Sequence, residues 1–69
     1  MNLEKLRPKI KQALNGDALS TSERVILSTL LFNSTYETAF KLRLSIRQIE
    51  TTLKQFTTKL QGTLNHANN

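Results

Sequence analysis

The sequence marks three helix starts with one local pattern, a serine followed three residues later by glutamate or glutamine. The pairs are Ser20 with Glu23, Ser34 with Glu37, and Ser45 with Gln48. In such a capping box the serine hydroxyl accepts a hydrogen bond from a backbone N–H of the first turn, and the longer side chain accepts one from the serine N–H. Each pair precedes apolar residues at helical spacing. The sequence therefore predicts three helices that begin at these serines.

A further helix is predicted ahead of these three. Its apolar residues recur at steps of three and four, at Leu3, Leu6, Ile10 and Leu14. Pro8 interrupts the pattern, because proline lacks the N–H of a helical hydrogen bond and its ring clashes with an upstream carbonyl. We therefore expect a kink at Pro8 or a helix start near Arg7. The run Asn15-Gly16-Asp17 predicts a C-cap and turn, with Gly16 in the left-handed conformation.

The later helices are expected at residues 21–32, 35–42 and 46–62. In the third helix we expect packing by Tyr36, Ala39, Phe40 and Leu42, with a close helix crossing at Ala39. Two glycines and one proline are too few for a loop-rich or all-β chain. The predicted fold is thus all-α, with four short helices.

With 69 residues the chain is expected to form a single domain. Its parts are an amino-terminal helix and turn, a helix-turn-helix core and a tail, at residues 1–16, 19–62 and 63–69, and we expect residues 65–69 of the tail to fray. A hydrophobic share of 38% and a mean hydropathy of −0.37 argue against a membrane span. The absence of cysteine and of a signal-peptide pattern at the start favours a cytoplasmic setting.

The charge balance favours an anionic partner such as nucleic acid. Ten basic and five acidic residues give a net charge of +5. Residues 1–12 sum to about +3, residues 13–40 to about −2, and residues 41–69 to about +4. The basic residues of the first segment form either a DNA-contacting face or a solvated one; they are Lys5, Arg7, Lys9 and Lys11.

Catalysis requires titratable groups that converge, and this chain has one histidine, no cysteine and five scattered carboxylates. The histidine, His66, lies in an asparagine-rich tail. No glycine-rich phosphate loop and no zinc or calcium ligand spacing is present in the sequence. We expect a protein that is not an enzyme and that uses no cofactor and no metal.

The stretch from Leu19 to Leu60 resembles the helix-turn-helix domain of GerE/LuxR-type transcription regulators. The residues that carry the resemblance are Leu19-Ser20-Thr21-Ser22-Glu23, Ile26-Leu27, Leu30-Leu31, Glu37-Thr38-Ala39, Leu42, Leu44-Ser45, Gln48-Ile49 and Lys59-Leu60. The chain departs from the family at Asn33, where glycine is usual, and at Thr52, where histidine is usual. Only nine residues follow Leu60, where the family has the helix that forms its dimer contact, so we do not expect that dimer contact here. A weaker resemblance, through Ile49-Glu50 among others, is to the carboxy-terminal region of bacterial sigma factors.

The resemblance implies a DNA-binding transcriptional regulator whose recognition helix starts after Ser45. It places Arg47 and Gln48 near phosphates. It turns Glu50, Thr51 and Lys54 towards base edges. Further phosphate candidates are Lys41, Arg43 and Lys59. The implied partner is double-stranded DNA.

Two apolar stripes need cover in so small a domain, and we expect them to pack on one another or to meet across the two-fold axis of a homodimer. Their members are Leu3, Leu6, Ile10, Leu14, Phe56, Leu60 and Leu64. An alternative function is that of a small phage- or plasmid-type modulator that binds a transcription factor or RNA polymerase through a helix-turn-helix scaffold. The small size, Glu50 and the missing family helix favour this alternative.

Overall fold

The computed structural model describes the backbone of residues 2–67 and the side chains of residues 2–61. Within that range the chain forms four helices and no strand, which confirms the all-α prediction. The helices are α1 (Leu3–Leu14), α2 (Thr21–Leu30), α3 (Thr35–Leu42) and α4 (Ile46–Ala67). The molecule measures 40 × 22 × 18 Å, and α4 contributes most of its length because 22 helical residues span about 33 Å.

All three predicted capping boxes are present. Ser20 Oγ accepts a hydrogen bond from the Glu23 N–H at 3.2 Å, and Glu23 Oε1 accepts one from the Ser20 N–H at 3.0 Å. The same pair of bonds joins Ser34 to Glu37 and Ser45 to Gln48, at distances from 2.8 to 3.1 Å. Each box satisfies backbone N–H groups that have no partner within a helix, so the starts of α2, α3 and α4 are set locally.

One hydrophobic core joins all four helices, and α2 lies in contact with each of the other three. Its buried members are Leu6, Ile10, Leu19, Ile26, Leu27, Leu30, Ala39, Ile49, Leu53 and Phe56. Both apolar stripes therefore contribute to the core of a single chain. Leu6, Ile10 and Phe56 have almost no exposed surface left for a dimer contact.

The other members of the two stripes are less enclosed. Leu3, Leu14 and Leu60 pack against the core and are only partly buried. Leu64 lies outside the described side chains.

The start of α1 differs from the prediction. The helix begins at Leu3, with Asn2 as its N-cap: Asn2 Oδ1 accepts a hydrogen bond from the Glu4 N–H at 3.0 Å. The helix continues through Pro8, so the predicted start near Arg7 is wrong. Leu6 and Ile10, on either side of the proline, are both buried in the core. Their burial offsets the one backbone hydrogen bond that proline cannot make.

The end of α1 also differs. Gly16 does not adopt a left-handed conformation, and the C-cap Asn15 is right-handed. The end is instead held by a side chain from α2. Arg24 Nη1 donates to the Leu14 carbonyl at 2.9 Å, and Nη2 donates to the Gly16 carbonyl. Because a side chain satisfies these carbonyls, the backbone does not need the left-handed turn that usually does so.

An equivalent bond runs in the opposite direction, from α1 to the end of α2. Arg7 Nε donates to the Leu30 carbonyl at 3.2 Å, and Nη2 donates to the Asn33 carbonyl at 3.4 Å. The last turn of α2 has no basic residue of its own. Arg7 thus supplies both the donors and the positive charge that favour a helix C-terminus. Each of the first two helices is therefore capped by an arginine of the other.

Three further boundaries or packing predictions are wrong. Helix α2 ends at Leu30, two residues earlier than expected. Tyr36 and Phe40 are exposed, because α3 turns Thr38 and Ala39 towards the core instead. Helix α4 passes through Gly62 and reaches Ala67, so residues 65–67, which were expected to fray, are helical, and residues 68 and 69 lie outside the described residues.

The turn between α3 and α4 is closed by a left-handed residue, Arg43, with φ 57° and ψ 40°. Its N–H donates to the Phe40 carbonyl at 3.3 Å, and the Leu44 N–H donates to the Ala39 carbonyl at 2.9 Å. This pair of bonds is the Schellman motif, in which glycine usually occupies the left-handed position. The motif ends α3 abruptly and allows α4 to begin two residues later, at the Ser45 cap.

Candidate nucleic-acid interface

The outer face of α4 is polar and basic. Ile49, Leu53 and Phe56 turn one side of the helix into the core. Helical periodicity places a row of four exposed residues on the opposite side: Arg47, Thr51, Lys54 and Thr58. The burial of one side of the helix thus determines which side chains meet solvent.

An open groove of about 720 Å³ runs between the start of α2 and the first turns of α4. Thr21, Ser22 and Val25 line it from α2, while Arg47 and Thr51 line it from α4. A second hollow continues the groove along α4, because Ser22 and Thr51 line both. The two helices together form one continuous surface with hydroxyl groups on one side and basic groups on the other.

Five of the eight residues predicted to contact DNA line this groove, and all five are exposed. They are Arg47, Gln48, Thr51, Lys54 and Lys59. Lys41 and Arg43 are exposed at the end of α3 and in the turn, beside the groove and not among its lining residues. The predicted set therefore forms a surface around the start of α4.

Glu50 is the exception. It is exposed, but it lines a small hollow with Leu3, Thr35 and Leu53 on the other flank of α4. Glu50 therefore lines a different hollow from Thr51 and Lys54. It precedes Lys54 by one helical turn, so the carboxylate remains a neighbour of this lysine on the helix surface.

Two of the five predicted DNA contacts in the groove, Gln48 and Lys59, already have partners for their side chains. Gln48 Oε1 accepts the Ser45 N–H at 2.8 Å, which holds this side chain beside the helix start. Lys59 Nζ lies 2.9 Å from both carboxylate oxygens of Glu23. Because the Glu23 carboxylate neutralises part of the positive charge of Lys59, Lys59 attracts an anionic ligand less strongly than a lysine without an acidic neighbour would.

The capping carboxylates remain ionised over a wide pH range. The Ser20 backbone N–H, with Lys59 second, lowers the pKa of Glu23. The Ser34 backbone N–H likewise lowers the pKa of Glu37. In both cases the hydrogen bond favours the charged form of the carboxyl group.

The sequence patterns did not identify the contribution of α2 to the groove. The sequence does contain one indication of this contribution. Three consecutive hydroxyl residues, Ser20, Thr21 and Ser22, stand at the start of α2, although a capping box needs only one of them. All three are exposed. Val25, half-exposed beside them, gave no signal because its spacing fits either face of the helix.

No helix within the described residues is long and apolar enough to cross a membrane. Among the same residues, acidic side chains form no cluster of three that suits a metal ion. No protein family, curated protein or solved structure matches this chain. The resemblance to GerE/LuxR-type regulators therefore rests on the sequence motifs alone and stays a prediction.

Proposed function

We propose that this protein is a cytoplasmic transcription regulator that binds double-stranded DNA through the outer face of α4, and that it is not an enzyme. The observation that carries the proposal is the exposed row formed by Arg47, Thr51 and Lys54, next to the α2–α4 groove. A major groove about 12 Å wide admits an α-helix, whose diameter with side chains is about 10–12 Å. A helix that begins abruptly after a tight turn suits that position.

The proposed roles follow from side-chain chemistry and position. Thr51 and Lys54, at the middle of the row, reach base edges. Arg47 and Arg43, around the start of α4, bind phosphates. The hydroxyl groups at the start of α2 donate to the neighbouring backbone phosphates. Glu50 is left out of the base-reading set because it lies on the other flank of the helix.

A homodimer is part of this proposal. One recognition helix covers only a few base pairs, and two copies double the recognised length and the buried area. Three of the residues expected at the dimer contact are buried in the core of one chain. The two copies therefore need a different contact surface.

The first test is selection of bound fragments from a genomic or random DNA library at moderate salt. We expect an enriched sequence motif. We also expect the DNA affinity to fall steeply as the salt concentration rises, because Lys and Arg side chains that bind phosphates release counterions from DNA. Recovery of fragments without a common motif would exclude sequence-specific regulation.

Variants then assign the contact face. Thr51→Ala and Lys54→Ala should each reduce affinity for the selected motif by roughly fivefold to a hundredfold, the range expected for a lost base contact. Thr57→Ala is the matched control, since Thr57 lies on the other flank of α4 and outside the groove lining. An equal effect of Thr57→Ala would contradict the assignment of this face.

The modulator that binds a transcription factor or RNA polymerase is the second candidate, and one observation favours it. Three large aromatic side chains, Phe32, Tyr36 and Phe40, are exposed outside the groove. Exposed apolar patches commonly mark protein contacts. Co-purification of a stoichiometric transcription protein, without salt-sensitive DNA binding, would support this function; the reverse result would exclude it.

A further inference from the structure

The three most exposed large apolar side chains among the described residues are those of Phe32, Tyr36 and Phe40, which we call the aromatic patch. The three side chains are 86%, 71% and 86% exposed. Tyr36 and Phe40 lie four residues apart on α3 and share one face, and Phe32 follows the end of α2 just before that helix. The core is complete without them, since α3 contributes Ala39 and Thr38 to the interior.

We propose that this patch is the contact surface of a homodimer, in which α3 of one copy packs against α3 of a second copy across a two-fold axis. This inference deepens the proposed function by naming the surface through which the two copies meet. It rests on the proposed function only because the proposed DNA recognition needs two copies. Pairing through the patch leaves the recognition face accessible, because none of the three aromatic residues lines the α2–α4 groove.

The area of the aromatic patch is large enough for contact with a second copy of the chain. An aromatic side chain buries about 150–250 Å² when fully enclosed, so at these exposures the three supply roughly 400–600 Å² per copy. A specific interface requires about 1,000 Å² summed over both partners, with about 800 Å² per partner being standard. The aromatic residues of two copies therefore reach the lower limit, and their neighbours on α3 provide the rim.

The charges beside the patch are self-complementary, as a two-fold axis requires. Glu37 and Lys41 are exposed on α3, one turn apart, along the border of the aromatic face. Antiparallel pairing about an axis near Ala39 places Glu37 of one copy next to the partner's Lys41, and the reverse pair forms by symmetry. A strongly acidic or strongly basic partner would instead meet a like charge at one of these two residues.

Sedimentation of the full chain without DNA tests the proposal. The expected mass is twice the chain mass of 7.9 kDa, with dissociation on dilution. Phe40→Ser and Phe32→Ser should each raise the dissociation constant at least about tenfold, as loss of a buried aromatic anchor does. Val25→Ser is the matched control, because Val25 is 48% exposed and lies outside the patch. Circular dichroism of each variant verifies that the helices remain folded.

A cysteine placed in the patch gives a second readout that does not depend on stability. The chain contains no cysteine, so Phe40→Cys introduces one thiol per copy, one residue from the proposed axis at Ala39, and a high chain concentration offsets the weaker dimer expected from loss of the aromatic ring. Under mild oxidation it should form a disulfide-linked dimer rapidly, whereas Thr58→Cys, on the groove side of α4, should not.

Three results would overturn the proposal: a monomeric wild-type chain, a Phe40→Ser variant as dimeric as wild type, or equal cross-linking at both cysteine positions. A monomeric chain that still selects a DNA motif would contradict the dimer surface and leave the proposed function intact. A dimer that selects no DNA motif would support the dimer surface and contradict the proposed function. A monomer that captures a transcription protein through Phe40 would assign the patch to the modulator function.

Discussion

At the residue scale, Thr38 contains a buried hydroxyl oxygen for which no hydrogen-bond partner exists among the described groups. A buried polar group without a partner reduces stability, because it has lost its hydrogen bonds to water. Thr38→Val keeps the shape and removes the hydroxyl. We expect the free energy of unfolding in urea to rise by about 1–2 kcal/mol.

The matched control is Thr52→Val. Thr52 is also buried, but its hydroxyl donates to the Gln48 carbonyl at 3.0 Å, so its removal should bring no comparable gain. A Thr38→Val protein that is less stable than wild type would show that the hydroxyl is bonded in solution.

Arg43 combines two roles that substitution can separate. Its left-handed φ is unfavourable for any residue with a Cβ, and its side chain is a proposed phosphate contact. Arg43→Gly should raise the free energy of unfolding by up to about 1 kcal/mol while weakening DNA binding and its salt dependence. Arg43→Ala should weaken DNA binding equally without the gain in stability. Unchanged DNA affinity in both variants would remove Arg43 from the interface.

At the element scale, the reciprocal arginine bonds between α1 and α2 hold the first helix in place. Arg24→Ala removes the donors to the Leu14 and Gly16 carbonyls, and we expect it to lower the free energy of unfolding by about 1–3 kcal/mol. Arg47→Ala removes the same charge from an exposed position and should change stability by no more than about 0.5 kcal/mol. Chemical denaturation followed by circular dichroism measures both. Equal stabilities would mean that Arg24 does not cap α1.

The capping boxes make the helices sensitive to acid. Because folding lowers the pKa of Glu23 and of Glu37, their stabilising effect is complete above the usual carboxyl pKa of about 4.3 and is lost as the pH falls through the lowered values. Glu37→Gln keeps an acceptor that does not titrate. Thermal melts of this variant should therefore depend less on pH in that acid range than those of wild type. An unchanged pH profile would argue against the capping role of the carboxylate.

At the scale of the whole molecule, local sequence patterns predicted the four helices. The features that they did not predict, such as the ends of α1 and α2, depend on contacts between helices. Ser20, Ser34 and Ser45 each act on neighbours within three residues, so their effect is visible in the sequence. Arg7 and Arg24 act on carbonyls 8 to 26 residues away, which no local pattern reveals. The predicted interruption of α1 was wrong because it took into account neither these contacts nor the burial of Leu6 and Ile10 on both sides of Pro8.

The candidate site shows the same division. The helical period identified the exposed row on α4 from the sequence. The position of Glu50 on the opposite flank, and the contribution of Thr21 and Ser22 from α2, depend on how the helices cross. Tyr36 and Phe40 were expected in the core because aromatic residues are usually buried. Only the packing of α3 shows that Thr38 and Ala39 take that place.

A nuclear magnetic resonance titration of the isotope-labelled chain with the selected DNA tests most directly whether the outer face of α4 binds DNA. We expect the amide shifts to concentrate on Arg47, Thr51 and Lys54 and on the first turn of α2. We also expect Thr51→Ala to reduce those shifts at equal DNA concentration, whereas Thr57→Ala should not. Shifts that centre on Phe32 and Phe40, or that are absent at moderate salt, would contradict DNA recognition by the outer face of α4.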